Sequence, residues 1–167
     1  MRVYLPATLP GLRVLLDTGE VGSPPLPGFA VTGALREWYA EGDEEELEYA
    51  ALTLAARASV RLLDRALLLD PATPPRRVVI AAEVDQVEPA PDVDRAAVRV
   101  LGAVPLRLVQ SVHVDDAAAA DDVRAAAEQL VEADLGSEDA AFRVEQADGH
   151  ELQWYATQEI GALLELS

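Results

Sequence analysis

Residues 43–87 read DEEELEYAALTLAARASVRLLDRALLLDPATPPRRVVIAAEVDQV. Asp43 has the side chain of a helix N-cap, and Glu44, Glu45 and Glu46 place negative charge at the positive end of the dipole that follows. The Ala/Leu-rich body predicts a helix to about Leu69. Within it Leu47, Ala51, Leu54, Ala58 and Leu62 recur at helical spacing and draw one apolar stripe. Pro71, Pro74 and Pro75 close the helix, because proline lacks the amide donor and disfavours helix just before it. Val78 to Val87 is then β-branched and too short for a helix, which predicts a buried strand. A long helix with one apolar stripe, followed by a buried strand, describes a helix lying across a sheet.

Working outward, Arg2 to Ala7 reads as a strand, and Thr8 caps a helix over Leu9 to Leu16 with Pro10 in its first turn. Strands are expected at Ala97 to Leu101 and Leu106 to Val114, joined by the turn Gly102-Ala-Val-Pro105. Asp115 or Asp116 caps an Ala-rich helix to about Val131. Ala147-Asp148-Gly149 predicts a hairpin whose three-residue loop pairs Phe142 with Trp154 and Val144 with Leu152. Thr157 caps a last helix over Gln158 to Leu166. The prolines at 24, 25 and 27, at 71, 74 and 75, and at 89 and 91 read as connections, none long enough for a flexible linker. The expected fold is α+β: one domain over 1–167, a mostly antiparallel or mixed sheet, and helices packed mainly on one face.

The 167 residues hold 30 acids against 13 basic residues, for a net charge of -17. Residues 81–167 account for -14 of it. Such a field repels phosphate backbones and anionic bilayers, so neither a nucleic acid nor a membrane is expected as partner. There is no cysteine, which excludes disulfides, thiolate metal sites and cysteine nucleophiles. All basic residues are arginine and asparagine is absent, the usage of a GC-rich genome. No apolar run approaches the roughly 20 residues of a membrane span, and the N-terminus lacks the apolar stretch of a secretory signal. A cytoplasmic location is expected.

Three constellations bear on chemistry. Thr8, Thr32 and Thr157 each follow a strand-like segment. Were those strands parallel, three helix N-termini would converge on an anion, with Arg36 adding charge, although capping alone accounts for every threonine. Glu83-Val-Asp85 and His113-Val-Asp115 share a spacing that puts each pair on one face of a strand. On neighbouring strands they would gather a hard cation or an acid/base set, and solvated caps are the competing reading. The aromatic pairs Trp38-Tyr39 and Trp154-Tyr155 suggest one packing ring and one partly exposed ring each, suited to a partner surface. Arg57, Arg61 and Arg65, spaced by four, are expected to pair with acids of the chain. No serine has a nucleophile elbow, and His150 is expected at an exposed hairpin tip.

RVYLPATLPGLR at 2–13, AVTGALREWYAEGDEEELEYA at 30–50, SVHVDD at 111–116 and WYATQE at 154–159 together resemble a family of small proteins of high-GC actinobacteria. The resemblance covers nearly the whole chain and brings no catalytic or binding residue, because the family has no assigned activity. It implies a bacterial, cytosolic origin.

The leading functional reading is a non-enzymatic binding or protein-interaction domain for a partner or small ligand, with a homodimer through the aromatic pairs or a sheet edge as one form of it and Trp38 and Trp154 as contacts. No catalytic residue and no cofactor is assigned. The alternative is a metal- or anion-dependent enzyme built on Glu83, Asp85, His113 and Asp115.

Overall fold

A computed structural model describes residues 1–167. Its centre is a seven-stranded antiparallel sheet of order β4-β5-β2-β1-β3-β6-β7. The strands are β1 (Arg2–Ala7), β2 (Leu26–Phe29), β3 (Val78–Glu83), β4 (Val87–Pro89), β5 (Ala97–Val100), β6 (Val109–Val114) and β7 (Gln153–Ala156). Six helices accompany them: α1 (Leu9–Thr18), α2 (Gly33–Trp38), α3 (Glu44–Leu69), α4 (Ala120–Asp134), α5 (Glu138–Asp148) and α6 (Ile160–Glu165). The α+β class with an antiparallel sheet is therefore what the chain adopts.

Both faces of the central strands are apolar. Val3, Leu5, Val78, Ile80, Val112 and Val114 face one way and meet α1 and α6 in the largest core cluster, where Leu12, Leu15 and Ile160 are fully buried. Tyr4, Val79 and Ala81 face the other way and meet α3. A strand buried on both sides reads as a continuous apolar run rather than an alternation, which explains the VVIAA of β3. Most helical residues belong to the α3 side, since α4 and α5 pack on α3 through Val60, Leu63, Val123, Ala126 and Leu130. The larger apolar cluster nevertheless lies under α1 and α6.

The long helix starts and ends where expected, with Asp43 accepting from the Glu46 amide at 2.9 Å. Its buried stripe begins at Leu47 and Ala51 as expected and then shifts by one residue, to Ala55, Ser59 and Leu63, with Leu54, Ala58 and Leu62 only partly covered. Small side chains win the inner positions because they let the helix approach the sheet. Ser59 Oγ donates to Ala7 O at 2.7 Å and accepts from the Val78 amide at 3.0 Å, pinning α3 to the ends of β1 and β3. A comparable close approach explains Gly28 in β2, where a Cβ would lie 2.6 Å from Val3 Cγ1.

Several expectations fail for identifiable reasons. The segment expected from Val78 to Val87 divides into β3 and β4, at opposite parts of the sheet. Leu106–Leu108 is a 3-10 turn, and β6 begins only at Val109. Two proline clusters contain strands as well as connections: β2 holds Pro27, paired with Arg99 of β5, and β4 ends on Pro89. No Phe142/Trp154 hairpin exists. Residues 138–148 form α5, because Ser137 caps it at 3.2 Å from the Ala140 amide and Ala140, Val144 and Ala147 recur at helical spacing. Trp154 pairs with His113 of β6 instead.

Candidate functional site

The threonines are spent on structure and lie apart. Thr8 Oγ1 accepts from the Gly11 amide at 3.1 Å, and Thr32 Oγ1 accepts from Leu35 while donating to Arg95 O. Thr157 is no cap: its hydroxyl donates to Val109 O at 3.0 Å, and Glu159 takes the Ala156 amide. Because β1 runs antiparallel to β2 and β3, Thr8 leaves the sheet at the rim opposite Thr32 and Thr157. Three N-termini therefore do not converge. Arg36 pairs with Glu44 at 2.8 Å in solvent.

The four residues of the metal alternative also separate. In the antiparallel β3/β6 pair, Val78 faces Val114 while Ala82 faces Val109. Glu83 and Asp85 thus lie at one end of the pair and His113 and Asp115 toward the other; equal spacing would have converged only on parallel strands. Glu83 binds Arg2 at 3.2 Å, and no group of three or more His, Asp or Glu side chains is arranged to hold a metal ion. Burial, with a smaller contribution from Arg2, pushes the His113 imidazole below its ordinary pKa. The unfolded state then binds this proton more readily, so His113 contributes stability that is lost as pH falls below about 6.5. In urea titrations His113→Gln should lose less stability than the wild type between neutral and mildly acid pH.

Asp115, expected as a ligand or cap, is instead buried in an ion pair. Its carboxylate accepts from Arg77 Nε at 2.9 Å, from Nη2 at 2.8 Å and from the Arg77 amide at 2.8 Å. Arg77 Nη2 also donates to His150 O, tying the connection before β7 to the same point. His150 is accordingly not a free tip; its Nε2 lies 2.7 Å from Asp122 Oδ2. Arg77 and Asp115 flank the facing ends of β3 and β6, a juxtaposition that no local pattern of the sequence encodes.

One surface combines the features of a binding site. Thr32 and buried Leu35 fix α2 against the turn before β5, and Leu35 packs with Leu47 and Ala96. Trp38 then projects into solvent with 60% of its surface exposed, and the Arg95 guanidinium lies over its ring, 3.7 Å from the centroid. Tyr39 and Tyr49 are exposed beside them, so the first aromatic pair contains no packing ring. Together with Leu54 and Arg57 these side chains line an open cavity of about 460 Å³. Leu54, Arg57 and Asp94 continue into a second cavity of about 400 Å³ between α3, α4 and α5. Two ion pairs border that second cavity, Arg57 with Asp148 at 2.7 Å and Arg61 with Asp134 at 2.8 Å, as expected for these two arginines, whereas Arg65 forms no ion pair. The Arg61 contact holds the Asp134 carboxyl below its usual range. Arg95 and Tyr49 escaped the sequence reading, because nothing local indicates that the turn before β5 folds onto Trp38.

No helix is long and apolar enough to cross a membrane. No curated protein and no solved structure matches the chain. Residues 1–164 match a family described as Family of unknown function (DUF6912), and the chain belongs to that family.

Proposed function

We propose that this chain is a cytoplasmic, non-enzymatic binding domain of actinobacterial origin, a single unit over 1–167, whose partner is a protein seated on the cleft of Trp38, Tyr49, Arg57 and Arg95. The observation that supports it is the Trp38 ring, largely exposed yet already stacked under Arg95 at the mouth of a cavity. Trp, Tyr and Arg supply most of the energy of protein interfaces, because a large rigid ring and a planar cation desolvate at low conformational cost. Arg95 makes no ion pair despite the 30 acids of the chain. Its fork is free for a carboxylate or carbonyl of the partner, while an apolar side chain enters between Trp38 and Tyr49.

The test begins by selecting peptides from a random display library against the folded protein. Affinities are then measured for Trp38→Ala, Arg95→Ala and, as a control on the far helix α1, Arg13→Ala. Trp38→Ala should weaken selected peptides by roughly thirtyfold or more, the loss of an interface anchor of about 2 kcal/mol. Arg95→Ala should weaken them by about tenfold, and Arg13→Ala should change nothing. Equal binding by all three variants, or a selection that returns no peptide, would refute the reading.

A further inference from the structure

The two edges of the sheet are built differently. At one end β4 has only Val87, Glu88 and Pro89, and a short strand bearing a charge and a proline resists pairing with another chain. At the other end β7 has neither device. Residues 152–156 read LQWYA, without charge, proline or bulge, in a chain of net charge -17. Trp154 stands on this edge with 61% of its surface exposed.

The backbone of β7 is oriented to accept a strand. The Ala156 amide donates to Glu159 Oε2 at 2.7 Å rather than to β6. Strand alternation then turns the Trp154 N–H and C=O outward as well, while Gln153 and Tyr155 address β6. Trp154 thus carries an unused donor and acceptor on the outer edge.

We propose that β7 pairs with β7 of a second copy of this chain, antiparallel about a two-fold axis through Trp154. A two-fold normal to the sheet preserves which face each side chain occupies, so a residue can oppose only itself or one an even number of positions away. Centred on Trp154, this register sets Trp154 against Trp154 of the partner copy, Gln153 against Tyr155, and Leu152 against Ala156. The two Trp154 residues exchange both backbone hydrogen bonds, and their rings meet on the α3 face as a cross-strand aromatic pair. The paired positions 152–156 carry no charge, so no carboxylate opposes another within the ladder. The uncharged edge is where two copies of a chain of net charge -17 meet with least repulsion, and the self-complementary register is what favours a second copy over a foreign strand. The joined sheet has fourteen strands. The contact is small, so association is weak, and it tightens as salt screens the repulsion between two acidic copies.

Sedimentation velocity over a concentration series tests this, with Trp154→Glu and Trp154→Arg. The wild type should dimerise reversibly below about 1 mM, a free energy near 4 kcal/mol. Each variant alone should dimerise at least tenfold more weakly, because like charges then face each other across the axis. Mixing the two variants should restore a heterodimer. In wild-type hydrogen exchange the Trp154 amide should gain protection at least tenfold with concentration, while the Gln153 and Tyr155 amides stay protected throughout. This arm decides the matter should a variant fail to fold. A wild type monomeric at about 1 mM, variants that dimerise like the wild type, a mixture that yields no heterodimer, or a Trp154 amide indifferent to concentration would each overturn the proposal. Trp38→Ala should leave the association unchanged, which separates this edge from the peptide cleft.

Discussion

Asp115→Ala is expected to remove about 3–5 kcal/mol of folding stability, a large part of what a domain of this size possesses. Arg77 and Asp115 are 2% and 1% exposed, and the carboxylate accepts three hydrogen bonds from Arg77 alone. Its removal strands a guanidinium in the interior with His150 O as its remaining partner. Unlike a buried lysine, arginine cannot shed its proton to escape that cost. The Arg77 amide at the start of β3 loses its acceptor in the same substitution. Urea denaturation of Asp115→Ala, Arg77→Met and the double variant Arg77→Met/Asp115→Leu would measure the coupling. The double variant should be more stable than Asp115→Ala, because an apolar pair of similar volume leaves no charge unmatched. A loss below about 1 kcal/mol in Asp115→Ala would mean that water reaches the pair and that it acts as a surface contact.

Leu12→Ala should cost about 2–5 kcal/mol, the transfer free energy of the deleted atoms plus the cavity they leave. Leu12 is fully buried, between Leu9 and Leu15 on the inner side of α1, and belongs to the cluster that includes β1, β3, β6 and α6. Val14, two residues on, is half exposed, and Val14→Ala should stay within about 0.5 kcal/mol. Chemical denaturation of the two variants under one condition gives the comparison. Equal small losses would mean that α1 does not pack on the sheet.

The periodicity of α3 was plain, yet its inner face is one residue from the line through its largest side chains. Leu54 and Leu62 appear to the eye as core, whereas Ala55 and Ser59 reach the sheet, since close helix approach rewards small residues and a hydroxyl bonded to two strands. Residues 138–148 offered both a two-residue and a helical spacing of apolar positions; Ser137 with Glu138 and Asp139 behind it was the cap signal that favours helix. At the candidate site Trp38 stands out in the sequence as half of an aromatic pair, whereas Arg95 does not, because two groups 57 positions apart meet only when α2 and the turn before β5 fold together. The metal alternative depended on strand direction, which equal E-x-D and H-x-D spacing does not encode.

Composition and local pattern by themselves determined the class of the fold, the strand at Arg2–Ala7, the caps at Thr8, Thr32 and Asp43, and the exclusion of cysteine chemistry. Those follow from dihedral preference, capping and hydrophobic period, which act over a few residues. Tertiary structure alone decided strand order and direction, the two-sided core, the burial of Arg77 with Asp115, and the cleft in which Arg95 covers Trp38. Such pairings depend on which distant segments exclude water from one another, and their free energy exists only after the chain has closed on itself.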